Sequence, residues 1–283
     1  MQDFWIIAVV GLLALGSSVL GCFLVVRKNV MFVDTLAHSI LPGIALAYII
    51  RGEKDNFFIL LFALLCGLLV ATFIAWLSGK IRNRNDAVLG IVYTFFFAIG
   101  IILVTLFGEQ ADLDTECVLF GEMLYIPFET LNFAEVPRTF PWALGASIMT
   151  MLFIWRTFRP LAIVSFDETF AQSIGLKVNF WNFILTTFVT LLTILSFEIV
   201  GSVLVVALFA FPPAIAFLLT KRLQVMLILS AIVSVLSVAV GYYFSVWQGG
   251  SSSASIVIVQ GVSLLIVLVS KKVASINFKF LVR

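Results

Sequence analysis

Residues 4–26 read FWIIAVVGLLALGSSVLGCFLVV, carry no charged side chain, and end directly on Arg27-Lys28. A helix needs about 20 mostly apolar residues to cross about 30 Å of hydrocarbon, so this run is long enough to span a bilayer. No basic segment precedes it and it is too long for the apolar region of a cleavable signal, so it is read as a retained first span. Eight further runs follow, at 30–50, 56–78, 87–107, 141–158, 180–198, 200–219, 224–246 and 253–270. Each is expected to be helical, because lipid offers no partner to a free backbone N–H or C=O. The expected fold is therefore all-α, one polytopic transmembrane helical domain over residues 1–283 with about nine spans. The break from Glu198 to Gly201 is so short that a re-entrant or half-length helix there would make the number eight or ten.

The composition excludes a water-soluble fold. The chain is 62% hydrophobic and 11% charged, against about 45–50% and about 25% in soluble domains. The net charge of +2 says little, but its placement says more. With nine spans and the N-terminus outside, Arg27-Lys28, Lys80-Arg82-Arg84, Arg156-Arg159, Lys221-Arg222 and Lys271-Lys272 all fall on the cytosolic side, as the positive-inside rule requires. The other side receives Glu109, Asp112, Asp114, Glu116, Glu122, Glu129 and Glu135. Cys22 and Cys66 lie inside apolar runs and Cys117 alone in a loop, so neither a disulfide framework nor a thiolate zinc site is expected. No nucleic-acid partner is expected; membrane lipid is.

Two connecting segments are long enough for a role of their own. The external 108–140 loop reads either as a solvated acidic surface or as a negative entrance for a cation and a docking face. The cytosolic 159–179 segment contains Ser165-Phe166-Asp167-Glu168, a helix-capping pattern, and a stop at Gly175. The short helix between them is expected to carry Phe170, Ala171 and Ile174 on one side, to lie on the membrane or to fit a groove of a soluble partner.

Ionisable groups within spans are costly and are usually kept for function. Asp34 and His38, the chain's single histidine, are four residues apart and share a helix face near the cytosolic end of the second span. A carboxylate beside an imidazole suits transient binding of a divalent first-row metal; it suits equally a hydrogen-bonded pair that locks two helices. Glu198 reads either as an interfacial carboxylate or as an entry ligand. Pro42-Gly43 and the run from Gly201 to Pro212-Pro213 interrupt their helices, and such breaks mark either a substrate path or a close packing contact. The chain has no Walker A pattern, so it is not expected to hydrolyse nucleotide by itself, and with no G-x-S-x-G and no H-E-x-x-H it is not expected to be a hydrolase.

Several segments, in order, resemble the ABC-3 family of zinc, manganese and iron permeases. They are Arg27-Lys28 followed by Val33-Asp34-Thr35-Leu36-Ala37-His38 to Gly43, then Asn85-Asp86-Ala87-Val88-Leu89-Gly90, Leu119-Phe120-Gly121, Phe166-Asp167 with Ala171 and Gly175, and Val200-Gly201-Ser202 leading to Pro213-Ala214. Val33 replaces a glycine usual before the aspartate, and Gly249 to Ser253 replaces a Pro-Ser-Gly stretch. The resemblance implies a type II ABC importer permease in a bacterial inner membrane, with a second permease copy or paralogue, cytosolic ABC ATPase subunits and an extracytoplasmic metal-binding protein. It implies that Asp34 and His38 line the route of a transported divalent metal ion, with no tightly bound cofactor. It also implies that Phe166, Asp167, Glu168, Phe170, Ala171 and Gly175 meet the ATPase. Pro42, Gly43, Gly201, Pro212 and Pro213 would be gating breaks. Rival readings are a permease for a siderophore or cobalamin chelate, or an autonomous secondary carrier.

Overall fold

The computed structural model describes residues 2–51, 56–80, 85–107, 123, 126–127 and 136–281. The acidic residues expected at 109–135, Leu119-Phe120-Gly121, Cys117, Arg82 and Arg84 lie outside the described residues.

Among the described residues the long elements are all α-helices. They are α1 (Gln2–Val26), α2 (Met31–Ser39), α3 (Leu41–Arg51), α4 (Asn56–Lys80), α5 (Asn85–Phe107), α6 (Thr139–Phe166), α7 (Glu168–Ser173), α8 (Val178–Val200), α9 (Ser202–Leu219), α10 (Leu223–Gln248) and α11 (Ser252–Leu281). Nine stretches among the described residues are long and apolar enough to cross a membrane, with α2 and α3 together forming one. The helices on either side of Gly201 have 23 and 18 residues, so neither is a half-length insertion.

Two features differ from the sequence reading. The second span is divided at Ile40. The segment expected as a loop from residue 159 is helical to Phe166, because α6 runs straight through Pro160. Proline costs one backbone hydrogen bond but fixes a helical φ, and the apolar Leu161, Ile163 and Val164 beyond it still have a core to pack on.

α1 is the axis of the bundle. In its most apolar stretch 78% of residues are buried, against 22% in α5. It packs on α6, α9 and α10 and more lightly on α8, while α11 closes against α9 and α10. α2 to α5 form a second group, joined to the first through α8 and α9. Small and hydroxylated residues let these helices approach, as they do wherever lipid removes the hydrophobic drive between helices. Ser230 and Ser234, one turn apart on α10, donate to the carbonyls of Ser18 (3.3 Å) and Ala14 (3.0 Å) on α1.

The tightest contact is between α1 and α9. Pro213 has no N–H to give the Phe209 carbonyl, and that carbonyl lies against Gly21, where a Cβ would collide with the backbone oxygen and come within 2.8 Å of the Pro213 ring. Contrary to the sequence reading, α9 runs unbroken through Pro212-Pro213, and α1 covers the carbonyl that the prolines leave unbonded. Gly21→Leu is expected to cost at least the ~1–3 kcal/mol typical of overpacking, and a backbone collision leaves little room for relaxation. Thermal unfolding in detergent should show a clearly lowered midpoint; an unchanged one would mean that α1 and α9 are free to separate.

Two polar links check the threading. Arg27 after α1 donates to Ser165 at the end of α6 (2.9 Å) and to Asn182 at the start of α8 (2.6 Å). Tyr242 near the end of α10 donates to Asp3 at the start of α1 (2.6 Å). Helix ends that alternate across a membrane must meet in this way. The outward surface is apolar, with Trp155 80% and Trp247 83% exposed, far beyond what a soluble monomer presents to water.

Candidate functional site

α2 is short and one-sided. Phe32, Val33, Leu36 and Ala37 are buried, and the opposite stripe carries Asp34 and His38, both half-buried. Asp34 Oδ1 and His38 Nε2 stand 3.6 Å apart, too far for a hydrogen bond. The contact is within ion-pair reach when the imidazole is protonated. Two ligand atoms sharing one metal at about 2.0–2.2 Å each would stand about 3 Å apart, so a small rotamer adjustment brings the pair into ligand geometry.

The imidazole is framed by Tyr93 and Phe97 of α5, edge-on at centroid distances of 5.3 and 5.8 Å, and those two rings stack on each other. This aromatic frame limits the ring's swing, and nothing in the sequence around His38 announces it. Tyr93 and Phe97 lie close to the middle of α5, so His38 packs against that part of the helix.

The break after His38 has a defined backbone. Pro42 has no N–H for the His38 carbonyl. The N–H groups of Gly43 and Ile44 both turn to Ile40 (2.9 and 3.1 Å), and the Cys66 thiol reaches the Ser39 carbonyl at 3.5 Å. Gly43 does not loosen this helix. A Cβ there would lie 2.7 Å from the Phe62 carbonyl, so the glycine lets α3 press on α4. Gly201 has φ 80° and ψ 165°, a region open essentially only to glycine, and it alone joins α8 to α9. Glu198 is exposed near the end of α8, on the other side of the bundle from α2's start. Among the described residues no three His, Cys, Asp or Glu side chains gather into a metal-binding group, so Glu198 does not join Asp34 and His38.

The second candidate region is the turn from α6 to α8. Asp167 caps α7: its carboxylate accepts from the Phe170 N–H (2.9 Å) and the Thr169 hydroxyl (2.6 Å). Chiefly the Thr169 bond, then the Phe170 N–H, hold its pKa below the ordinary carboxylate range. The cap's contribution is therefore complete above the pKa of an unfolded aspartate and is lost only as the pH falls through the depressed value.

At the other end Leu176 N–H bonds Ala171 and Gly175 N–H bonds Gln172, both at 3.0 Å, with Gly175 at φ 82°, a left-handed helix stop that glycine accommodates without strain. The side chains do not divide as expected. Ala171 is buried against Val164 and Val178, whereas Phe166, Phe170 and Ile174 point outward together. Phe170 and Ile174, four apart, share a face that the neighbour Ala171 does not; Phe166 ends α6 before the extended Asp167.

Behind α7 sits Arg27, which the sequence marked as a membrane boundary but not as a partner of this turn. Arg27 bonds Asn182, and Asn182 reaches Glu168 at 3.4 Å. Burial pushes the Arg27 pKa down to about 10, with Glu168 opposing the shift. α7 is thus tied by polar contacts to the end of α1 and the start of α8.

Residues 1–271 match the ABC 3 transport family. The chain belongs to that family. It is 35% identical to the manganese transport system membrane protein MntD of Bacillus subtilis, over 92% of this chain and 89% of that protein. It is 34% identical to the manganese import system permease protein ScaB of Streptococcus gordonii, over 89% and 85% respectively. Its fold matches a chain of PsaBC from Streptococcus pneumoniae in complex with Fab, with a TM-score of 0.77 and 28% identity, covering 93% of this chain and 89% of that one. This ABC-3 family member is therefore a multi-pass membrane transport protein with the fold of an ABC permease, and is not itself an enzyme.

Proposed function

We propose that this ABC-3 family chain is the membrane-spanning permease of an importer that moves manganese across the bacterial plasma membrane. The observation that supports the reading is the Asp34–His38 pair, half-buried with its two ligand atoms 3.6 Å apart, and its imidazole framed by Tyr93 and Phe97. Manganese prefers oxygen donors and tolerates imidazole. Two protein ligands bind it weakly, and a transported ion must be released. The remaining ligands come from a second permease copy or from water. The manganese relatives favour this ion over zinc or iron, and the ligand pair favours a free ion over a chelate.

The N-terminus faces outward, which puts Arg27, α7 and Lys221-Arg222 in the cytosol by the positive-inside rule. An extracytoplasmic binding protein delivers the ion to the outer face. ATPase subunits dock on Phe166, Phe170 and Ile174. Their closure pulls α7, and Arg27 and Asn182 pass that movement to α1 and α8, while the interruptions at Ile40, just before Pro42-Gly43, and at Gly201 divide helices that must shift.

Proteoliposomes holding this chain with its ATPase subunits should accumulate manganese only when ATP is supplied to the ATPase side. Uptake of equal rate by the chain alone would make it a secondary carrier instead.

A further inference from the structure

A groove of about 1580 Å³ runs between α6 and α10, floored by Val19 of α1 and stopped at one end by Trp181 of α8. It is larger than the ~300–1,000 Å³ of a site for a compact small molecule. Its walls are apolar along Ile148, Leu152, Leu227, Ile228 and Ile232. Its end holds Arg156 and Arg159, one turn apart on α6, with Gln224 of α10 across from them. Both arginines are exposed, no acidic residue lines the groove, and neither arginine has an ion pair with any described residue. Trp155, 80% exposed, stands beside them, where an indole marks the boundary between hydrocarbon and headgroups.

We infer that this groove binds a phospholipid with an anionic headgroup, its phosphate held by Arg156 and Arg159 and an acyl chain lying along α6 and α10. Three observations favour that occupant. A helix rises about 1.5 Å per residue, so Ile148 lies roughly 16 Å from Arg159, about the hydrocarbon depth of one leaflet. Basic pockets between spans suit anionic headgroups, each cation near the surface contributing about 1 kcal/mol, or about fivefold. A second copy of the chain fits less well: a two-fold contact sets a surface against itself, and neither α6 nor α10 contains an acidic residue, so arginine would meet arginine. The inference rests on the chain spanning a membrane, and not on which metal it carries.

Native mass spectrometry of the assembled transporter, exchanged into mixtures of phosphatidylglycerol and phosphatidylcholine with identical chains, tests it. Phosphatidylglycerol should be retained at least about tenfold more strongly. The Arg156→Gln/Arg159→Gln variant should lose that preference with its subunit composition unchanged, while Arg156→Lys/Arg159→Lys keeps most of it. Ile228→Trp, which fills the groove, should lower retention of both lipids. Equal retention of the two lipids by the unaltered protein overturns the inference, as does a preference that survives the glutamine variant. If Ile228→Trp or the glutamine variant splits the permease pair, the face is a protein interface and the lipid assignment is wrong.

Discussion

Manganese uptake by the reconstituted transporter is expected to fall by about a hundredfold or more when Asp34 and His38 are both replaced by alanine. Loss of an outer-shell partner alone costs metal sites ~10–100-fold, and this change removes the direct ligands. The fold should survive, because both side chains lie on the half-buried stripe of α2 while Phe32, Val33 and Leu36 keep it packed. Two companion variants separate ligation from structure. Asp34→Asn preserves shape and removes charge; His38→Phe preserves the ring that Tyr93 and Phe97 enclose and removes the nitrogen. If the pair binds the ion, each should lose most uptake while thermal stability and ATPase assembly stay near those of the unaltered protein. Substantial uptake by the double alanine variant, with normal stability, would place the route elsewhere. A large stability loss in His38→Phe would mean that the imidazole's polar atoms serve packing.

The spans were legible because lipid imposes a simple requirement, a long apolar helix bounded by charge, and α1, α4, α5 and α8 begin and end close to where that requirement puts them. It says nothing about how far a helix continues beyond the hydrocarbon, so the last turns of α6 past Pro160 were hidden. Pairing four residues apart made Asp34 and His38 visible, since helical geometry alone puts them on one face. Their neighbours Tyr93 and Phe97 were not visible, because an aromatic residue in an apolar span has no local mark that tells a ring facing lipid from one facing a ligand. Arg27 carried two roles at once. Its charge reads as a membrane boundary, while its contact with Ser165 joins segments 138 residues apart, which no local pattern encodes. Gly21 was hidden for the same reason: its need for space comes from a carbonyl on α9 that Pro213 leaves unbonded.

Phe170→Asp should separate this chain from its ATPase without unfolding it. Phe166, Phe170 and Ile174 are 64%, 53% and 50% exposed at the turn that the proposed orientation puts in the cytosol, and a membrane surface is the rival occupant that the ATPase-binding readout separates. Exposed apolar side chains clustered about a short helix are what a partner's groove receives. Truncating a central aromatic anchor commonly costs about 2 kcal/mol of binding, roughly thirtyfold in affinity, and a carboxylate in its place adds desolvation. Co-purification of the ATPase and ATP-driven uptake should therefore both fall more than tenfold. Stability should hardly change, because the buried contact of α7 is Ala171 and its cap is Asp167, both left intact. Gly175→Ala provides the contrast. Holding a residue with a Cβ at φ 82° costs about 1 kcal/mol, which should loosen α7 and weaken transport while leaving the docking residues in place. ATPase binding would then persist with transport reduced. If Phe170→Asp binds the ATPase as tightly as the unaltered chain, the outward cluster is not the docking surface, and the tie from α7 through Asn182 to Arg27 has no input to transmit.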